Sequence, residues 1–294
     1  MSKNTRNQLP VLYRKTSGLL QNINFLTRPT SLPMRSRKVS YSIFEESGNR
    51  LYKIKVEGEY QMTRVPNTRD AKILRAFLSK AKFNKKGRWI ARFKSGQEIY
   101  NCLYPDKFTK FNPEDSGRVW QALLNWMDVV VLFDGTYQVK GKKLPIKKAF
   151  HVLDEAVKKK MKSGRLRYTV EFNDRFVQEI LYGLNTRLNL RVYFALSSPF
   201  TAQLYEHLTG MFAFQEETVA LKIPLLMDKL GLKGSKTLAH EQRRINRIEE
   251  ALAEINKQSH KYGVRYRVRV QKAKRGERRL VFEKCKKESD DDED

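Results

Sequence analysis

The sequence predicts an α+β fold in which one order of elements, three helices and then a β-hairpin, occurs twice. Two observations predict it. In each half the spacing of apolar residues passes from a helical period to a strand period in the same order. The 294 residues also suit about two domains at roughly 150 residues each. Apolar residues make up 40% and aromatics 11%, enough for a real core, which excludes wholesale disorder.

The first half opens with a basic stretch. Residues 1 to 40 hold eight Lys or Arg and no acid, broken by Pro29, Ser31, Pro33 and Ser36. This predicts a mobile basic arm. Residues 51 to 65 alternate like a hairpin, with Tyr52, Ile54 and Val56, then Tyr60 and Met62, around Gly58. A helix follows from Thr68 or Asp70 to Ala81, its apolar side formed by Ile73, Leu74, Phe77 and Leu78. A short helix starts near Ser95 and ends before Pro105. A third runs from Pro113 to Met127, where Pro113, Glu114 and Asp115 suit a helix start. Val129 to Phe133 then reads as a strand, Asp134-Gly135 as a turn, and Tyr137 to Lys140 as the return strand. Three helices followed by a hairpin is the winged-helix order. A linking segment with the basic run Lys158 to Arg167 leads to a strand, Tyr168 to Phe172, and a helix from Asn173-Asp174 to Tyr182.

The second half repeats the order. Ser197-Ser198-Pro199 starts a helix that reaches Phe212. A strand, Thr218 to Leu221, and a short helix, Pro224 to Leu230, follow, the helix closed by Gly231. A long helix spans Leu238 to Gln258 and buries Ile245, Ile248, Leu252 and Ile255. Val264 to Gln271 and Arg279 to Glu283 form a hairpin around Lys274-Arg275-Gly276-Glu277. The chain therefore divides into an arm (1–40), a first domain (41–188), a second domain (189–287) and an acidic tail (288–294).

Charge narrows the function. Lys plus Arg number 59 against 32 acids, a net charge of +27. That excess points to a polyanion: nucleic acid first, an anionic membrane surface second. Cys102 and Cys285 are the only cysteines, so a disulfide scaffold is excluded and a reducing compartment is expected. The longest aliphatic-aromatic run, Val129 to Phe133, is far short of the roughly 20 apolar residues of a membrane helix. The N-terminus lacks the apolar core of a signal peptide.

Two constellations suit DNA. On the long helix, His240, Arg243, Arg244 and Arg247 lie in the N-terminal turns, away from the apolar stripe. Glu249, Glu250 and Glu254 follow in the later turns. A recognition helix needs this arrangement, because its N-terminal part enters the major groove and arginine there bonds guanine or phosphate. An ordinary solvated face of Arg-Glu pairs is the plain alternative. The hairpin shifts the balance: Lys261 to Lys287 holds twelve Lys or Arg and two Glu. Val264, Tyr266, Val268 and Val270 alternate with Arg265, Arg267 and Arg269, and Lys272, Lys274 and Arg275 lie at the tip. An edge strand guarded against aggregation would not need nearly one sign of charge. The third helix of the first half, with Glu114, Asp115, Trp120 and Trp126, is no basic probe, and only Arg118 suits phosphate.

Catalytic alternatives are weaker. Gly135 to Lys142 has one residue too many for a phosphate loop, and no Ser or Thr follows the Lys. The four histidines and two cysteines have no zinc spacing, and no His-x-His occurs. His240-Glu241-Gln242-Arg243 matches the His-x-x-Arg of tyrosine recombinases, with Tyr262 and Tyr266 downstream. Catalysis there requires His240, Arg243 and a tyrosine hydroxyl to converge on one phosphate.

At these residues the chain resembles plasmid replication initiators of the tandem winged-helix Rep superfamily. The resemblance is carried by Ser198-Pro199 with Leu204 to Leu208, by Ile223 to Leu232 (IPLLMDKLGL), by Ile245 to Asn256 (INRIEEALAEIN) and by the basic hairpin. Thr169 to Ile180 (TVEFNDRFVQEI) resembles the strand and helix that join the family's two domains. It covers about residues 60 to 285. The long arm and the acidic tail depart from the pattern. The resemblance implies two tandem winged-helix domains and a bacterial, plasmid-associated cytoplasmic protein that binds repeated origin sites without catalysis, cofactor, metal or membrane. It implies self-association as monomer and dimer, recruitment of host initiator and helicase, and repression of its own gene. The expected contacts to double-stranded DNA are Lys236, His240, Arg243, Arg244, Arg247, Arg265, Arg267, Arg269, Lys272, Lys274, Arg275 and Arg278. Lys140, Lys142 and Lys143 are expected as auxiliary phosphate contacts, in a first domain used mainly for dimerisation. A winged-helix transcription regulator and a tyrosine-type strand transferase are the competing expectations. RNA binding is disfavoured, because exposed aromatic clusters of the stacking kind are not evident.

Overall fold

A computed structural model describes residues 12–14, 18–22, 38–44, 50–57, 66–105, 109–139, 142–182, 185–213, 217–230, 237–272 and 278–286. Mixed α and β structure fills both halves.

Helix α1 (Thr68–Lys80) starts at the first of the two expected caps, so the cap itself is Asn67. Asn67 Oδ1 accepts from the N–H of Arg69 at 2.9 Å and of Asp70 at 3.1 Å, while Asp70 Oδ2 accepts from the Asn67 N–H at 3.0 Å. This reciprocal cap satisfies N–H groups that the first turn otherwise leaves open. Helix α2 (Gly96–Leu103) is capped by Ser95, and α3 (Pro113–Met127) starts at Pro113, as the sequence indicates. Asn125 donates to Asp70 Oδ2 at 3.0 Å and Trp126 Nε1 to the Asp70 carbonyl at 2.9 Å, which locks α3 onto the start of α1.

The strands rearrange the expected first half. Strands β1 (Tyr13–Arg14) and β2 (Gly18–Asn22) lie within the segment read as an arm. Leu12 and Leu19 are buried, and β2 pairs with β11 (Asn185–Leu188), at the end of the expected first domain. Apolar burial at those two leucines overrides the local charge. Strand β3 (Lys38–Phe44) also begins inside the arm, and it pairs with β4 (Arg50–Glu57). The expected return strand at Tyr60 and Met62 lies outside the described residues. The other neighbour of β4 is β7 (Val130–Val139), which pairs in turn with β8 (Lys142–His151).

Asp134-Gly135 is not a turn. Asp134 sits opposite both Lys53 and Lys147, and Gly135 opposite both Tyr52 and Ile146. The Asp-Gly signal is local, whereas the pairing of a central strand on both sides is not. The reversal falls between Val139 and Lys142, which face each other.

The hairpin that closes the first half lies further on. Strands β9 (Leu153–Lys160) and β10 (Leu166–Phe172) pair antiparallel, and β10 also pairs with β6 (Trp89–Phe93). With β5 (Lys82–Phe83) the sheet order is β5-β6-β10-β9. The basic run Lys158 to Arg167, expected to be a link, is the end of this hairpin. Gly164 sits in its turn at φ +78°, a conformation that strains any residue with a Cβ.

Helix α4 (Asp174–Tyr182) and the short α5 (Leu190–Ala195) join the halves. The second half follows the sequence closely: α6 (Pro199–Met211), β12 (Thr218–Lys222), α7 (Ile223–Lys229), α8 (Leu238–Ser259), β13 (Val264–Lys272) and β14 (Arg278–Lys286). Its sheet order, β12-β14-β13, repeats β6-β10-β9 element for element. The first half differs by the β7–β8 pair placed between its third helix and its hairpin.

One continuous core runs through both halves, from Phe77, Phe93 and Trp126 to Phe200, Leu252 and Phe282. At the joint, Arg75 of α1 donates to Glu206 Oε2 of α6 at 2.9 Å and to the Tyr193 hydroxyl at 3.0 Å. Glu206 is 1% exposed and Arg75 7%, so the pair is out of water. Lys72 Nζ donates to the Leu196 carbonyl at 2.6 Å. Burial pulls its pKa down to about 8, against the nearby Glu254 and Glu206.

Candidate nucleic-acid interface

Helix α8 has the two faces that its spacing predicts. Ile245, Ile248, Leu252 and Ile255 are buried. His240, Arg243 and Arg247 are exposed, and Arg244 is half-buried. Thr237 caps the helix, its Oγ1 accepting from the His240 N–H at 3.3 Å. The exposed Arg243 and Arg247 thus lie in the second and third turns, behind the helix start whose open N–H groups favour an anion. The Arg247 guanidinium stacks over the Phe200 ring at 4.4 Å, which fixes the side chain without neutralising it. Arg244 Nη1 is shielded and makes no hydrogen bond among the described residues.

The hairpin is fastened to this helix. Asn256 donates from Nδ2 to the Tyr266 carbonyl and accepts on Oδ1 from the Tyr266 N–H, both at 2.8 Å. Ser259 Oγ donates to the Val264 carbonyl at 2.8 Å. Between them Gly263 turns the chain at φ +70°. Tyr266 is buried, its ring 5.7 Å from that of Phe212. Alternation then places Arg265, Arg267 and Arg269 on the opposite, exposed face.

The expected contacts do not all have the same standing. Arg269 Nε pairs with Glu283 at 3.0 Å, and Glu283 also lies directly opposite Arg267. Arg278 faces inward: Nη1 pairs with Glu241 at 3.1 Å and Nη2 donates to Gln242 at 3.2 Å. It braces the hairpin against the first turn of α8. Lys272 is exposed, opposite Arg278. Lys236, Lys274, Arg275 and Lys140 lie outside the described residues, as do the side chains of Lys142 and Lys143.

Helix α3 occupies the matching place in the first half and is chemically different. Arg118 pairs with Asp115 at 3.1 Å and with Glu114 at 3.5 Å, so its cation is already committed. Burial would raise the Asp115 pKa, but the Tyr100 hydroxyl, the Asn112 N–H and Arg118 together hold it below the ordinary carboxylate value. What the spacing of apolar residues did not show is the β9–β10 hairpin, where Lys158, Lys159, Lys160, Lys162, Arg165 and Arg167 are all exposed. The signal was present as six cations without an acid around Ser163-Gly164.

The strand-transferase constellation does not assemble. Arg243 lies in the first turns of α8 and Tyr262 beyond its last, which separates them by about 28 Å at 1.5 Å per residue. Tyr266 is buried under Phe212. Among the described residues, no group of three or more His, Cys, Asp or Glu is placed to hold a metal ion. No helix among them is long and apolar enough to cross a membrane.

No sequence-family model matches the chain, and no curated protein matches it. Solved structures do. A crystal structure of domains 2 and 3 of RctB superposes with a TM-score of 0.52 at 12% identity, covering 91% of this chain and 99% of that one. A second, of RctB domains 2-3 (RctB-155-483), gives a TM-score of 0.52 at 11% identity, covering 90% and 96%. At such identity the likeness is one of fold.

Proposed function

We propose that the protein binds double-stranded DNA sequence-specifically at a replication origin and initiates replication there, acting by binding and distortion without a chemical step. In this reading each half is a winged-helix unit. The second half is the reader: the N-terminal turns of α8 enter the major groove, and the β13–β14 hairpin lies along the backbone or in the minor groove. The first half supplies self-association and secondary contacts. Several protomers on adjacent repeats would use binding energy to destabilise nearby duplex, and host initiator and helicase would load there.

One observation carries the reading. Exposed His240, Arg243 and Arg247 on α8 and the arginine row of β13 are held as one rigid unit by Asn256 and Arg278. The fold likeness to domains 2 and 3 of RctB supports a replication-initiation role. A footprint on DNA flanking the gene, at about 150 mM salt, tests it. Several phased direct repeats are expected. A single palindrome over the promoter would favour a transcription regulator instead.

A further inference from the structure

We infer that the first half grips duplex DNA through its β9–β10 hairpin, holding phosphates without reading bases; this rests on the DNA-binding reading above. From Lys158 to Arg167 there are six cations and no acid, and all six are exposed. Tyr168, Val170 and Phe172 point into the core, so Arg167 points outward. Directly opposite Arg167 on the same face is Lys159. Exposed Arg92 lies one strand over, opposite Thr169.

None of Arg92, Lys159 or Arg167 has an ion-pair partner among the described residues, whereas Arg88 nearby is taken up by Glu171 at 2.7 Å. Like charges placed directly across a strand pair destabilise it. The β13–β14 hairpin relieves the same problem with Glu283, which faces Arg267 and pairs with Arg269. No acid does so between Lys158 and Arg167. A bound polyanion supplies the missing charge.

Topology makes that polyanion DNA. Strand β9 packs against α3 as β13 packs against α8, so each half offers a duplex the same kind of element. Yet α3 begins with Glu114 and Asp115, and its Arg118 is held by both. The exposed Glu114 at the start of the helix opposes entry into a groove lined by phosphates. What remains is a grip on the backbone, which positions and does not specify. A membrane surface is the poorer fit, because around the turn only half-buried Met161 and Leu166 and exposed Val157 could insert, among six cations.

The test is the full chain with Lys158→Gln, Lys159→Gln, Lys160→Gln and Arg167→Gln together. Binding is measured to two duplexes of equal length, one carrying the footprinted site and one scrambled, between about 50 and 200 mM salt. The slope of log K on log salt should become shallower by about 0.9 for each phosphate no longer held, some 2 to 4 in total, on both duplexes. The ratio between the duplexes should not change. The thermal midpoint should hold or rise, because the like-charge pair is gone. If the fourfold variant does not fold, Lys159→Gln with Arg167→Gln carries the same test, with a slope change of about 2. An unchanged slope would overturn the inference while leaving the second half as reader. A fall in the ratio would overturn it too, by showing that the hairpin reads sequence. Loss of binding to phosphatidylserine vesicles with DNA binding intact would reassign the surface to a membrane. Wild-type protein without salt-dependent duplex binding would overturn the DNA reading itself.

Discussion

Helices α3 and α8 hold the same place in their two halves and carry opposite chemistry. The first turns of α8 present arginines to solvent, one of them stacked on Phe200 but none of those exposed neutralised. The first turn of α3 presents Glu114, with Asp115 buried beside it, and the two take up Arg118. The difference teaches that position in a fold does not confer a role. In the proposed reading, the same three-helix frame carries a reader in one half and a scaffold with a charged hairpin in the other, depending on which side chains are left without partners.

That division of roles requires two halves that behave as one body. The largest test of this lies at the joint. Arg75→Ala should strand Glu206 in the core and cost about 3–5 kcal/mol in urea unfolding. Arg75→Met with Glu206→Leu should recover most of the loss. A single transition that moves as a whole is expected; a loss confined to one of two separate transitions would show that the halves are independent.

Next in size is the contrast between the helices themselves. Arg243→Ala with Arg247→Ala should cost about 1–3 kcal/mol of site discrimination for each base no longer bonded, more than it costs on scrambled duplex. Asn256→Ala should lose about 1–3 kcal/mol of stability by leaving the Tyr266 backbone unsatisfied. Hydrogen exchange should then quicken at Tyr266 and stay unchanged in β9–β10. If both hairpins loosened together, the Asn256 fastening would not be local to the second hairpin.

A smaller effect follows from Lys72. Its pKa is depressed from 10.5 to about 8 by burial. Between those values the unfolded chain binds more protons than the folded one, so stability should rise with pH there, by at most about 1.4 kcal/mol per unit. The difference between wild type and Lys72→Met isolates this rise, and a flat difference would contradict it. The smallest effect should be Arg118→Ala, which should leave DNA affinity and stability within about 0.5 kcal/mol.

The second half was legible in the sequence because its signals are local. Ser198-Pro199 marks a helix start, the isoleucine stripe gives α8 its buried face, and Tyr266 alternates with arginines along β13. The first half was less so. Asp134-Gly135 carries a strong turn signal, yet Val130 to Gly135 gains pairing on both sides by running straight through. Leu12 and Leu19 sit in a basic, proline-broken segment, and the strand partner of Leu19 is Leu188, 169 residues away. Lys158 to Arg167 looked like a link because the hairpin it ends is separated from its helices by the inserted β7–β8 pair. Nothing local marks Arg75 and Glu206, 131 positions apart, as partners.

The assignment of α8 as the reader is tested most directly by one measurement: a footprint of wild-type protein and of Arg243→Ala with Arg247→Ala on DNA flanking the gene, at about 150 mM salt. The prediction is a set of phased direct repeats protected by the wild type and unprotected by the variant, while weak, uniform binding persists. No discrete protection by the wild type, or the same repeats protected by both proteins, would contradict that assignment.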